Sequence, residues 1–165
     1  MKNTKNPINT PKTSSEFFKE GCRLSEIKNF DSAIKNFNNA IELDPSCALA
    51  YNNKGTSLTN LSKFEQAIEC FNKAISIEPD VAQPYNNKGI TLSQIGQFQS
   101  SIFYFNKAIE LEPNLAQAYN NKGISLAEIG NYDSAIECYE KAIRLDPSKK
   151  NVYTNKINLI QNTKK

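Results

Sequence analysis

Residues 48–81 read ALAYNNKGTSLTNLSKFEQAIECFNKAISIEPDV, and the same pattern recurs before and after them at an interval of 34 residues. Glycine, alanine, proline and aromatic residues each return at a fixed position within this interval. The glycine column is Gly21, Gly55, Gly89 and Gly123, and the proline column is Pro45, Pro79, Pro113 and Pro147. A period of this length is the sequence signature of a stacked repeat protein. We therefore divide residues 14–149 into the units 14–47, 48–81, 82–115 and 116–149.

Each unit is predicted to form two helices. In the second unit Tyr51, Gly55, Leu58 and Leu61 follow one another at steps of four, three and three residues, which trace one side of an α-helix. A short break follows, and the glycines found there in the third and fourth units suit a left-handed C-cap. The second half of each unit again places aromatic and aliphatic residues at helical spacing, and the proline ends that helix.

The glycine column lies inside the first helix of each unit, where a glycine costs about 1 kcal/mol relative to alanine. Four such costs at one position of the repeat need a compensating gain. We expect this gain to be a close approach of the second helix, which a Cβ atom would prevent. The small residues expected to meet the glycines are Ala33, Ala67, Ala135, Ala40, Ala74, Ala108 and Ala142.

The order of these residues resembles the pattern of the tetratricopeptide repeat family, which has aromatic residues, glycine, alanine, phenylalanine and proline at set positions over 34 residues. In the second unit the matching residues are Tyr51, Gly55, Ala67, Phe71, Ala74 and Pro79. Two departures recur: a lysine replaces the family's leucine before the glycine, and a leucine replaces the second aromatic residue. The resemblance implies an all-α fold, a right-handed α-solenoid of four helical hairpins with a concave groove.

The two ends of the chain differ from the repeats. Residues 1–13 carry three lysines and no acid, and we predict that they form a disordered basic tail. Residues 150–165 begin a fifth unit but stop after one polar helix, which we predict to be a capping helix with a short tail. The five lysines within 149–165 and the three in the first tail leave residues 14–148 with 12 basic and 17 acidic side chains.

The composition argues against catalysis and against a bound metal or cofactor. The chain has no histidine, which removes Ser-His-Asp triads, Cys-His pairs and histidine-ligated metal sites. Its four cysteines form no C-x-x-C pair, and no phosphate-binding glycine loop is present. The sequence also lacks an apolar run of about 18 residues and an apolar signal segment. We therefore expect a cytoplasmic protein that is not an enzyme and does not enter a membrane.

One motif extends beyond packing, because three first helices read Tyr-Asn-Asn-Lys-Gly. In tetratricopeptide repeat proteins the second asparagine of this pair faces the groove, so the resemblance implies a ladder of carboxamides. The ladder residues are Asn53, Asn87 and Asn121. Each amide can donate to and accept from a peptide backbone. The ladder resembles the one in the tetratricopeptide repeat superhelix of O-GlcNAc transferase. The alternative is a bias in composition, since the chain contains 22 asparagines.

Further groove positions follow from the family pattern, and most of their side chains are neutral. In the later units they include Asn52, Thr56, Asn86, Ile90, Asn120 and Ile124. In the first unit they include Phe18, Lys19 and Cys22.

These residues predict a non-catalytic scaffold that binds an extended peptide segment of an unidentified protein. The C-terminal tails of heat-shock chaperones are not expected as partners, because Gln83 and Gln117 stand where their binding site needs cations. Nucleic-acid binding through the basic ends is an alternative, although the acidic body does not favour it. A role as a non-catalytic subunit of an enzyme complex and self-association through Phe18 or the end helices also stay open.

Overall fold

The computed structural model describes residues 12–163, which form nine α-helices, one 3-10 turn at Pro147–Lys149 and no strand within that range. The helices are α1 (Ser14–Glu26), α2 (Phe30–Leu43), α3 (Ala48–Asn60), α4 (Phe64–Ile77), α5 (Ala82–Gln94), α6 (Phe98–Leu111), α7 (Ala116–Glu128), α8 (Tyr132–Leu145) and α9 (Lys150–Thr163). Consecutive helices pair into hairpins, which confirms the predicted all-α solenoid.

The contacts between hairpins determine which helices line the inner side of the stack. The second helix of each hairpin packs on the first helix of the next. Each of the first helices α1, α3, α5 and α7 also contacts the first helix of the next hairpin. Within residues 12–163, the second helices of successive hairpins make fewer contacts with one another than the first helices do. The first helices are therefore closer together and form the inner face, which we call the first-helix face.

Glycine permits the close approach inside each hairpin, as the sequence predicts, but the neighbour is a ring and not an alanine. A Cβ atom on Gly21 would lie 2.6 Å from Cε1 of Phe37, and one on Gly55 would lie 2.7 Å from Cε1 of Phe71. The third and fourth hairpins repeat this contact with Phe105 and Tyr139. The alanines of both columns are fully buried, and Ala108 belongs to a cluster with Ala82 and Ala118 on the two flanking first helices. Each aromatic ring therefore fills the space that the missing side chain leaves.

The breaks within the hairpins share one backbone geometry. Gly96 and Gly130 adopt φ angles of 75° and 77°, which confirms the predicted left-handed conformation. Lys28 and Ser62 adopt the same conformation at 59° and 57°, although such angles are unfavourable for residues with a Cβ atom. In all four breaks the next residue donates its N–H to the carbonyl oxygen of a first-helix leucine at 2.9 Å, a bond typical of a Schellman C-cap.

Both ends of the described chain have specific contacts. Thr13 is the N-cap of α1 and exchanges hydrogen bonds with Glu16, which forms a capping box. The predicted basic tail spans residues 1–13, and its residues 1–11 lie outside the described residues. Residues 164–165 at the other end also lie outside them. At the other end, α9 buries Tyr153 and Ile160 against the last hairpin.

We predict that Gly89→Ala lowers the free energy of unfolding by about 1–3 kcal/mol, because the new Cβ atom would overpack a ring that has no room to move. The nearest atom, Cε1 of Phe105, would lie 2.6 Å away, and Phe105 is fully buried. Urea denaturation measures the change. In a Phe105→Leu background the same substitution should cost less, and an equal cost in both backgrounds would contradict this explanation.

We also predict a pH dependence that belongs to Tyr139, the only residue of its column that is not phenylalanine. Burial is the main reason why the pKa of Tyr139 rises from 10 to about 12, with smaller effects from Cys138 and Glu128. The pKa of Tyr139 is higher in the folded state than in the unfolded state, so the protonated hydroxyl contributes to the free energy of unfolding. This contribution is complete below pH 10 and is lost as the pH rises through about 12. Tyr139→Phe should therefore flatten the fall in stability between these pH values, and parallel profiles would refute the prediction.

Candidate functional site

Asparagine side chains connect successive first helices along the first-helix face. Between α3 and α5, Nδ2 of Asn87 donates to Oδ1 of Asn52 at 3.0 Å. Between α5 and α7, Nδ2 of Asn121 donates to Oδ1 of Asn86 at 3.4 Å. The structure thus brings together the asparagines that the repeat pattern singles out. The amides are hydrogen-bonded to one another as well as placed in a row.

The row continues at both ends with different partners. Near the N-terminus, Nδ2 of Asn53 donates to Sγ of Cys22 at 3.4 Å. Burial raises the pKa of the Cys22 thiol, and the hydrogen bond from Asn53 opposes this effect. At the other end, Nζ of Lys156 on α9 donates to Oδ1 of Asn120 at 2.8 Å. The interhelical bonding therefore extends from α1 to α9.

The two asparagines of each Tyr-Asn-Asn-Lys-Gly motif have different environments. Asn52 is 6% exposed and Asn86 is fully buried, while Asn120 is half-buried. These residues are predicted groove positions, but the structure places their amides at the contacts between adjacent first helices. The second asparagines, Asn53, Asn87 and Asn121, are all half-buried. We call these three the second asparagine column, and they are the better placed of the two sets to meet a ligand.

The second asparagine column has hydrogen-bonding groups left over. An amide has two N–H donors and an oxygen with two lone pairs. Asn53 donates once, to Cys22, and accepts once, from Asn52. Asn121 has the same arrangement, donating to Asn86 and accepting from Asn120 at 3.0 Å. At each of these two positions, one N–H and one acceptor site remain for a ligand.

The central asparagine of the column is bonded differently. Nδ2 of Asn87 donates to both Asn52 and Thr56, and its oxygen accepts from Nε2 of Gln83 at 3.0 Å. In the neighbouring units the corresponding oxygen accepts from the first asparagine of the pair. Here Gln83 replaces that donor, and Nδ2 of Asn86 is buried without a hydrogen-bond partner in the described structure.

Three depressions lie along the first-helix face, one at each contact between successive first helices. Their volumes are about 300 Å³ between α1 and α3, about 220 Å³ between α3 and α5, and about 210 Å³ between α5 and α7. Each is lined by one member of the second asparagine column and by the residue three positions later. Those later residues are the predicted groove residues Thr56, Ile90 and Ile124.

The depressions share walls, because Thr56 lines the first two and Ile90 lines the last two. Glu26 is the one charged side chain among their lining residues. A continuous surface of neutral polar groups with apolar patches suits a polypeptide in which backbone groups matter more than charge.

The first unit contributes less than predicted. Cys22 lines the first depression. Phe18 packs instead against Phe37, with ring centroids 6.0 Å apart. Lys19 is exposed, and neither Phe18 nor Lys19 lines any of the three depressions.

Hydroxyl groups that the sequence pattern did not single out also connect the first helices. Ser25 and Ser57 are 3.0 Å apart through their Oγ atoms, and Thr59 and Thr91 are 2.8 Å apart through their Oγ1 atoms. In the next pair, Ser125 donates to Ser93 at 3.2 Å. A signal for these pairs is present, since serine or threonine returns at 34-residue intervals at both positions.

No helix within residues 12–163 is long and apolar enough to cross a membrane. That same range contains no group of three or more His, Cys, Asp or Glu side chains that could hold a metal ion.

The comparisons with known proteins agree with the repeat pattern. Residues 48–81, 82–115 and 116–149 each match a family model described as tetratricopeptide repeat, and residues 17–47 match a second model with the same description. No curated protein matches the chain.

Among solved structures, a crystal structure of MamA is 26% identical, with 87% of this chain and 84% of MamA covered and a TM-score of 0.78. The pilF protein of Pseudomonas aeruginosa is 20% identical, with 92% and 68% covered and a TM-score of 0.84. The first tetratricopeptide repeat domain of Spaghetti (RPAP3), solved with the HSP90 peptide SRMEEVD bound, is 22% identical, with 70% and 91% covered and a TM-score of 0.67.

We predict that Asn52→Ala lowers the free energy of unfolding by about 1–3 kcal/mol, because it leaves the Asn53 oxygen without its donor and the Asn87 amide N–H without its acceptor at half-buried contacts. Asn60→Ala is the matched control, since Asn60 is exposed on the same helix and bonds only to its own backbone turn. The control should change stability by less than about 0.5 kcal/mol. Equal effects in urea denaturation would show that the amide row is not structural.

Proposed function

Because this chain belongs to the tetratricopeptide repeat family, we propose that its first-helix face binds an extended peptide segment of a partner protein. In this proposal the second asparagine column bonds the peptide backbone, and the depressions beside it accept side chains. The repeats and their structural neighbours indicate a protein-interaction scaffold, and proteins built of such repeats generally act without catalysis. We propose the same for this chain.

The strongest support is the repetition of one small site along the face. Asn53 and Asn121 each keep one N–H and one acceptor site, and each lies at the edge of a depression. Successive helices stand roughly 10 Å apart. An extended chain advances about 3.3 Å per residue, so one step along the face corresponds to about three peptide residues. A segment of about nine residues would therefore pass all three depressions.

The neutral lining indicates what kind of peptide the face would accept. Backbone amides and carbonyls are common to every sequence, so amide-to-backbone bonds give affinity without strong sequence preference. The RPAP3 domain holds a peptide on the same fold, which supports the general mode of binding. Its acidic peptide is not a model for the ligand, because the depressions here offer no cation.

Nucleic-acid binding receives less support from the described residues. Lys156, one of the lysines in the basic C-terminal segment, is half-buried and donates to Asn120. Burial lowers its pKa, which disfavours the charged form that a phosphate would need. Lys149 is paired with Asp146 at 3.7 Å, and Lys12 lies over the ring of Phe17. Lys150 is exposed at the start of α9, and the other lysines of the two ends lie outside the described residues. The binding test described below distinguishes nucleic-acid binding from peptide binding.

The test is selection from a random nine-residue peptide library displayed on phage, with the full chain immobilised. We expect the selected peptides to bind the chain in solution, with little dependence on salt. The triple variant Asn53→Ala, Asn87→Ala and Asn121→Ala should bind them at least about tenfold more weakly. Peptides with N-methylated backbone amides should lose affinity too, because they cannot donate to the asparagine oxygens.

The triple variant needs a control for stability, because Asn87 and Asn121 also bond to Asn52 and Asn86. Gly89→Ala destabilises the chain without touching any amide of the first-helix face, and it should keep peptide binding at temperatures where both variants are folded. Unchanged binding by the triple variant would remove the ladder from the proposal. A steep loss of binding with salt, together with binding of oligonucleotides, would favour the nucleic-acid alternative.

A further inference from the structure

A larger cavity of about 550 Å³ lies away from the first-helix face, between α4, α6 and the start of α5. Lys88 and Tyr85 line it from α5, on sides of that helix turned away from Asn87. Three aromatic rings form one wall. Phe103 and Tyr104 are in edge-to-face contact at 5.2 Å, and Tyr85 lies 6.5 Å from Tyr104. Phe103 is 56% exposed although it is aromatic, so the wall is open to a ligand.

Lys88 is the unusual residue of this cavity. Only 7% of it is exposed, and its ammonium group lies 4.0 Å from the ring centroid of Tyr104. Lys88 nevertheless lines the cavity. Nζ donates to the hydroxyl of Tyr104 at 2.6 Å and to Oδ1 of Asn72, and both acceptors are neutral. An ammonium group has a third N–H to donate.

No carboxylate lies within ion-pair distance of Lys88 in the described part of the chain. Glu110, on the rim of the cavity, is already paired with Lys107 at 2.7 Å. Asp80, also on the rim, is exposed to solvent. A buried charge without an opposite charge is unfavourable, and a ligand carboxylate would relieve that cost.

The other repeats show what Lys88 lacks. The second and fourth units have Glu-Cys where the third has Phe103-Tyr104, namely Glu69-Cys70 and Glu137-Cys138. In the second unit, burial raises the pKa of the Cys70 thiol, Lys54 lowers it and Glu69 raises it, so both charges act at one sulfur. The fourth unit repeats this with Lys122 and Glu137 around Cys138. Only the third unit pairs this lysine with an aromatic residue in place of the glutamate.

We propose that this cavity binds a peptide segment of a partner protein in which a glutamate or aspartate side chain lies next to an aromatic side chain. The carboxylate takes the third N–H of Lys88 and supplies the opposite charge that no described side chain provides there. The neighbouring aromatic side chain packs on Phe103 and Tyr104. Asp80 on the rim disfavours segments with several acidic residues, so the site selects one carboxylate and not an acidic run.

The test uses the full chain labelled with ¹⁵N and titrated with two synthetic peptides, acetyl-Gly-Glu-Phe-Gly-amide and the same peptide with Gln in place of Glu. The two peptides differ only in charge. We expect the Glu peptide to bind at least about tenfold more tightly, because hydrogen bonds between ionised groups are roughly twice as strong as neutral ones. The shifted amide resonances should belong to α4, α6 and the start of α5.

Three variants locate the effect. Phe103→Glu restores the glutamate of the other units on an exposed position, and it should abolish the preference for the Glu peptide. Lys88→Met keeps the stem and removes the charge, and it should do the same. Lys122→Met makes the identical change in the fourth unit and should leave the preference intact.

Several results would overturn the proposal. They are equal binding of the two peptides, a preference that survives Phe103→Glu, and resonance shifts confined to the first-helix face. Dimerisation of the chain that Phe103→Glu prevents would show instead that a second copy covers the cavity. If the triple asparagine variant bound peptides unchanged in the preceding test, this result would not be affected, because the two surfaces lie on different sides of α5.

Discussion

Each hairpin depends on one contact, the placement of an aromatic ring from the second helix directly over a glycine of the first. Any side chain at that glycine would bring its Cβ atom within 2.7 Å of the ring. The helices can therefore approach closely only at this point, and the ring fixes both their separation and their relative position. Since the same contact occurs four times at a constant interval, the hairpins have nearly the same shape and stack regularly.

Regular stacking turns a sequence period into rows of side chains in space. The Tyr-Asn-Asn-Lys-Gly motif ends at the glycine of this contact. Its asparagines therefore reappear at equivalent points on α3, α5 and α7. The hydroxyl pairs such as Ser25 and Ser57 are a product of the same register. These rows hold the inner side of the stack together with polar bonds, while the aromatic rings pack inside the hairpins and the alanine columns are fully buried.

Small differences between repeats then give each position its own chemistry. Gln83 bonds the central asparagine of the second column and leaves Asn86 with an unpaired buried donor. Phe103 and Tyr104 take the place of a glutamate and a cysteine and give the cavity beside Lys88 an aromatic wall. Ser101, which interrupts an alanine column, is accommodated because its hydroxyl donates to Ser125 at 2.8 Å. The repeated framework tolerates such changes because each unit contacts mainly its neighbours.

The sequence by itself determined the hairpins, their number, the close approach at the glycines and the left-handed breaks at Gly96 and Gly130, because these follow from local spacing and backbone sterics. It did not identify the aromatic ring that meets each glycine. It also identified the asparagine columns. It assigned Asn53 to the ladder but also placed Asn52 in the groove, since a rotation of about 100° per residue separates a buried amide from a half-buried one only when the neighbouring helix is in place. The burial of Lys88 was likewise decided by tertiary structure, because the hydrogen-bond partners of its amine, Asn72 and Tyr104, come from two other helices, α4 and α6.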